Sequence, residues 1–226
     1  MLNKMYILKN KVVVITGSSI GIGRETAYKF AKEGCKVVIT YYKDKNEAFE
    51  VLNRCMKLGA SDALVIKLNA TNDNEIKDFV KEIVRKYSGI DILINNAGIV
   101  VWKYLEKQSY KEIEDQLRTN LEGLIKITKT CLPYIKDTII NIASAAGLEG
   151  YEDLTTYCAT KFGVRGFTQA LAKELKNVKT FVVNPGTIAT RMNNFHGLPP
   201  EKVAEAILNI AKGKYKAGSG SDINVW

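Results

Sequence analysis

From Val12 onward, short apolar runs alternate with amphipathic segments, and this rhythm restricts what the chain can fold into. The apolar runs are Val12–Thr16, Val37–Tyr41, Ala63–Leu68, Ile90–Ile94, Thr138–Ala143, Thr180–Val183 and a last one near Asp222–Val225. Most are continuous and rich in Val and Ile, as parallel strands covered on both faces require. Between them the period becomes helical. Ala48, Val51, Leu52 and Cys55 fall at i, i+3, i+4 and i+7 before Gly59, and Ile76, Phe79, Val80, Ile83, Val84 and Tyr87 follow a Thr71-Asn72-Asp73 start. Ser109 and Glu112 are spaced as a capping box opening a long helix that runs towards Pro133. Another helix is expected over roughly Thr156 to Leu175, and a last one from Pro199-Pro200 to just before Gly213. The alternation predicts an α/β fold, a doubly wound parallel sheet of about seven strands with helices on both faces. In such a sheet ligands sit at the C-terminal strand ends, where the strand order reverses.

At 226 residues and 46% hydrophobic, the chain suits one domain spanning 1–226 with ample material for a core. No linker, repeat or low-complexity stretch interrupts it. No apolar run is long enough for a bilayer, and the N-terminus lacks a secretory layout, so a cytoplasmic protein with no membrane partner is expected. Cys35, Cys55, Cys131 and Cys158 form no CxxC pair and the chain has one histidine, which argues against a disulfide framework and against a metal site. The formal charge of +9 is spread along helices, often beside acids as in Lys77-Asp78 and Lys81-Glu82. That is a solvated surface rather than a nucleic-acid footprint, although the field would favour an anionic cofactor.

The first strand runs into Thr16-Gly17-Ser18-Ser19-Ile20-Gly21-Ile22-Gly23 and then directly into a helical pattern. Glycines there permit a tight turn, close approach of backbone to a pyrophosphate and close helix–strand packing, while the helix N-terminus offers free N–H groups. Asn69 closes the third strand and Asn95-Asn96-Ala97-Gly98 the fourth. One such Asn is turn chemistry, whereas polar residues at successive strand ends describe a binding edge.

Tyr157 and Lys161, four apart on an expected helix, share a face. A phenol of ordinary pKa about 10 is a poor acid–base group near neutrality, and a neighbouring ammonium is expected to lower it. Ser144, at the end of the fifth strand, lies at the same sheet edge and could hold a substrate oxygen.

Together, Thr16–Gly23, Asn95–Gly98, Asn120, Ser144, Tyr157-x-x-x-Lys161 and Pro185-Gly186-Thr187-Ile188-Ala189-Thr190 resemble, in content and order, the short-chain dehydrogenase/reductase family. The resemblance covers Lys11 to about Val225 and implies a Rossmann-type sheet in the order 3-2-1-4-5-6-7. It implies that Tyr157 is general acid in carbonyl reduction and base in alcohol oxidation. Lys161 would tune Tyr157 and bind the nicotinamide ribose, Ser144 would position the substrate oxygen, and Asn120 would hold a water linking Lys161 to solvent. Cofactor contacts would come from Gly17, Ser18, Ser19, Ile20, Gly21, Ile22 and Gly23, and from Asn69 with Ala70 at the adenine. Asn96, Ala97 and Gly98 would line the adenosine ribose, and Pro185, Gly186, Ile188 and Thr190 the nicotinamide. The small-molecule partner would be a carbonyl or alcohol, by analogy a 3-oxoacyl thioester, and the assembly a homodimer or homotetramer.

Where NAD-preferring proteins carry a carboxylate at the end of the second strand, this chain has Tyr41, followed by Tyr42 and Lys43. NADP(H) is therefore favoured over NAD(H), with Lys43 as partner of the 2′-phosphate. Only about ten residues separate Thr190 from the helix at Pro200, so the substrate lid near 191–199 is short and the pocket beneath it open. A dinucleotide sensor without turnover is the alternative, disfavoured by the presence of Ser144, Tyr157, Lys161 and Asn120 together.

Overall fold

The computed structural model describes residues 7–226. Seven strands, β1 Val12–Ile15, β2 Lys36–Tyr41, β3 Asp62–Lys67, β4 Ile90–Asn95, β5 Ile135–Ile142, β6 Lys179–Pro185 and β7 Asp222–Val225, form one sheet in the order β3-β2-β1-β4-β5-β6-β7. Every neighbouring pair is parallel. The chain winds outward from β1 to β3, then returns to the other side of β1 with β4. That reversal opens a crevice between β1 and β4, as strand–helix alternation implies.

The crossovers are α1 Gly21–Lys32, α2 Lys45–Leu58, α3 Asp73–Tyr87, α4 Tyr110–Leu117 with α5 Gly123–Cys131, α6 Thr155–Glu174 and α7 Pro200–Ala211. The strands alternate between two cores. On β1, Val13 and Ile15 pack with Phe30, Val51 and Ile207 of α1, α2 and α7. Val12 and Val14 pack on the opposite face with Phe79 and Ile83 of α3 and Ile127 of α5. A strand buried on both faces has no use for a polar side chain, which is why these runs are continuous rather than alternating.

Local signals set the helix ends. The Asn72 side chain accepts from the backbone of Asn74 and Glu75, Ser109 and Glu112 form the expected capping box, and Gly59 closes α2 at φ 106°. The long helix expected from Ser109 to Pro133 departs from the expectation in one respect. Between α4 and α5 it opens into a π-helical turn, Arg118–Glu122, that carries the buried Asn120 inward. β5 begins earlier than expected, at Ile135, because Ile135 pairs with Ile90 across a register shift. Among the described residues no helix is long and apolar enough to cross a membrane. The four cysteines are buried free thiols, and Cys158 packs with Ala146 and Leu154 as a small hydrophobe.

Candidate active site

A cleft of about 810 Å³ runs along the C-terminal strand ends from β3 to β6. Its floor is the glycine-rich turn between β1 and α1, held from three sides. Gly17, at φ 62°, donates its N–H to Thr40 Oγ1 of β2 (2.9 Å), and Thr16 Oγ1 accepts from the N–H groups of Asn96 and Ala97 (2.9 and 3.0 Å). Asn96 Nδ2 in turn donates to the carbonyls of Thr16 and Gly17, both at 2.9 Å. Asn96 is thus the clamp that fixes the turn, a duty that reading it as a ribose contact alone had missed.

Two of the residues expected at the cofactor face inward. Ser18 is fully buried: its hydroxyl donates to Ile15 O and accepts from Thr40 N, and its own N–H donates to Thr40 O. It therefore pins the turn to β2 and does not line the cleft. Gly23 also faces inward, and a Cβ there would stand 2.4 Å from Gly17 O, so the residue serves helix packing. Gly17, Ser19, Ile20, Gly21 and Ile22 do line the cleft. α1 starts at Gly21 behind Ile20, which has no side-chain acceptor to cap the helix. Its leading N–H groups are left for an anionic ligand, and the residues present fit a dinucleotide pyrophosphate.

At the far end Tyr41, Lys43, Asn69 and Ala70 all line the cleft. Asn69 departs from expectation, because its Oδ1 already accepts from Thr71 N (3.1 Å) and Thr71 Oγ1 (2.9 Å). This Asx turn uses both lone pairs of the amide oxygen, which is therefore not left to accept from an adenine. A carboxylate does stand near the end of β2, three residues beyond Tyr41. Asp44 lies on the cleft wall beside Lys43.

At the opposite end the β5 terminus and α6 bring Ser144, Tyr157 and Lys161 together. Lys161 is 5% exposed, donates to Ile142 O at 2.9 Å and lies 5.5 Å from the centre of the Tyr157 ring. Burial pushes the Tyr157 phenol up to about 12, and the neighbouring Ser144 hydroxyl opposes it only in part. Burial drives the Lys161 ammonium the other way, down to about 8. The depression of Tyr157 expected from its neighbour is therefore not what the structure displays. Desolvation is the largest cause for both groups, and near neutrality the phenol holds its proton. Ser144 Oγ accepts from Ala146 N at 3.2 Å, which leaves its own hydrogen free to donate.

Asn120 stands behind this site rather than in the cleft. Its amide brackets the Ile99 backbone, accepting from Ile99 N and donating to Ile99 O at 2.8 Å each, and also donates to Thr160 Oγ1 at 3.3 Å. With Nδ2 donating twice and Oδ1 accepting once, the side chain positions the β4 loop and keeps one acceptor lone pair. Gly98 is wedged between, where a Cβ would lie 3.3 Å from Asn120 Oδ1 and 3.7 Å from Lys161 Nζ.

Residues 11–198 match the family profile described as short chain dehydrogenase. The chain belongs to the short-chain dehydrogenase family. It is accordingly an oxidoreductase of alcohol and carbonyl groups. Curated relatives include the 3-oxoacyl-[acyl-carrier-protein] reductase FabG of Staphylococcus epidermidis, 35% identical over 82% of this chain and 78% of that protein. FabG of Thermotoga maritima is 35% identical over 92% of this chain and 85% of its own length. Among solved structures, a short chain dehydrogenase from Burkholderia cenocepacia in complex with NADP superposes with a TM-score of 0.91. It has 24% identity and covers 97% of this chain and 98% of that one. A dehydrogenase/reductase from Sinorhizobium meliloti gives the same TM-score at 24% identity, over 96% and 94% of the two chains. At that identity the structures speak for the fold.

In this dehydrogenase the segment after β6 completes the cleft. Pro185, Gly186, Ile188 and Thr190 line it, and Thr190 lies against the glycine-rich turn, 3.3 Å from where a Cβ on Gly21 would be. The segment is closed at its base by hydrogen bonds from Ala189 N to Leu198 O and from Leu198 N to Thr187 O. Sequence reasoning passed over Arg191 and Asp44, which line the cleft, and Trp102, whose indole N–H reaches Met192 O at 3.3 Å. Arg191 and Asp44 are 147 residues apart in the chain, and no local pattern links them.

Proposed function

We propose that the protein reduces a small carbonyl compound with NADPH, Tyr157 supplying the proton. The observation that carries this reading is the meeting of Ser144, the protonated Tyr157 and Lys161 at one end of a cleft whose middle is an uncapped, glycine-lined helix N-terminus. A nicotinamide dinucleotide bound along that cleft supplies hydride to the carbonyl carbon. This chain's residues do the rest. Ser144 donates a hydrogen bond to the carbonyl oxygen, and Tyr157 passes its phenolic proton to that oxygen as negative charge develops. Lys161, cationic below about 8, stabilises the phenolate left behind. Asn120 holds the Ile99 backbone and with it the wall beside Lys161. A phenol raised to about 12 is protonated near neutrality, which is the state from which reduction starts. The names of the curated relatives point to a 3-oxoacyl thioester as the first substrate to try.

A panel of 3-oxoacyl thioesters and simple ketones, followed through the absorbance of reduced nicotinamide, tests this. Turnover is expected with NADPH, and Tyr157→Phe is expected to lower kcat by at least about 100-fold while leaving NADPH binding intact. A Tyr157→Phe variant turning over at near-parental rate would sink the mechanism.

A further inference from the structure

Arg191, in the segment after β6, has an exposed side chain whose guanidinium is nonetheless held by acidic groups. It crosses the cleft mouth to the loop after β2, with NH1 3.1 Å from Asp44 Oδ1 and NH2 3.7 Å from Glu47 Oε1. Thr190, the residue before it, touches the glycine-rich turn, so the arginine passes over the start of α1 to reach the end of β2. In dinucleotide folds an acidic side chain at the end of the second strand binds the adenosine ribose hydroxyls, and an arginine there accommodates a 2′-phosphate. Here both chemistries occupy that place, and the arginine arrives from the far side of the sheet. Asp44 would repel a 2′-phosphate if left alone. Paired with Arg191 it is neutralised, and the guanidinium retains donors for a further anion, because only NH1 is within hydrogen-bond distance of a carboxylate and Glu47 stands 3.7 Å from NH2.

We propose that Arg191 is the specificity-determining residue that selects NADPH over NADH, by cancelling Asp44 and pairing with the 2′-phosphate. The inference rests on the reading of the cleft as a dinucleotide site. It also moves the main cation away from Lys43, whose ammonium sits 5.5 Å from the ring of Tyr42. Binding to Arg191 joins the segment after β6 to the adenosine end of the cofactor, so selection and coverage of the cleft become one event.

Direct titrations of NADPH and NADH by nucleotide fluorescence, with no substrate present, test the proposal. Arg191→Ala should weaken NADPH at least about tenfold and NADH less than about threefold, because the phosphate then loses its cation and meets an unpaired Asp44. Asp44→Asn should leave NADPH binding equal or tighter, since the guanidinium loses a competitor. Equal weakening of both nucleotides by Arg191→Ala, or no change in either, overturns the selection role. So does an Asp44→Asn variant that loses NADPH as Arg191→Ala does, which would make the pair a structural strap. A parental protein that binds neither nucleotide rejects the dinucleotide reading itself, a result distinct from all of these. Melting curves of both variants check that each is folded.

Discussion

Lys161 sits where its own charge is disfavoured. Enclosed by β5 and α6, it donates to Ile142 O and forms no ion pair with a carboxylate among the described residues. Its folded value of about 8 lies below the 10.5 of an ordinary lysine, so between those values the unfolded chain holds more protons. Stability should therefore rise with pH through that window, and the full penalty should be present below it. Lys161→Met is expected to stabilise the free protein by about 1–3 kcal/mol near neutral pH while abolishing turnover. Chemical denaturation at about pH 7 and about pH 10 checks both parts, since the gain should shrink at the higher pH. An unchanged gain would mean that packing, not charge, sets the difference. The catalytic consequence has the opposite sign. Reduction should hold steady below about 8 and fall above it, as the ammonium that supports the phenolate is lost.

At the scale of elements, the turn between β1 and α1 and the π turn at Arg118–Glu122 do related work. Each is irregular backbone that brings polar groups to the β4 loop, the first through Thr16 and Asn96, the second through Asn120 and Ile99. The glycine turn tolerates no added atom at Gly23, because the nearest neighbour is the Gly17 carbonyl rather than a movable side chain. Gly23→Ala should lower Tm by several degrees and weaken nucleotide binding; calorimetry with a titration would show both, and loss of one without the other would separate packing from binding. These elements also mark what was legible in the sequence. Apolar period revealed the strands and helices, and glycine spacing revealed the turn, because both are local signals. The inward roles of Ser18 and Gly23, the Asx turn at Asn69 and the π turn were not legible. They depend on which neighbour claims a hydrogen bond, and Thr40, Gly17 O and Thr71 do so only in the folded chain. Tyr157 was found as a residue, while the direction of its shift was not, since burial has no sequence pattern.

Across the whole molecule the charge of +9 surrounds a cleft fitted for an anion. Much of that charge is locally answered, as in Lys29 with Glu205, Lys212 with Glu33 and Arg165 with Asp222. The surplus acts at range, where screening removes it. The association rate of NADPH should fall several-fold from low to physiological salt while its dissociation rate changes little, which stopped-flow fluorescence would resolve; a rate indifferent to salt would remove the steering role. One more property follows from the base of the segment after β6. Ile188 and Leu198 form a bridge across its two ends, and Gly197, at φ 110°, lets the chain turn back under Thr187. The stem is thus closed independently of what lies between, so the loop behaves as a cassette. Longer inserts placed at its tip add only a slowly growing closure entropy and leave the sheet untouched, which makes this the natural splice point for redesigning the enzyme's appetite.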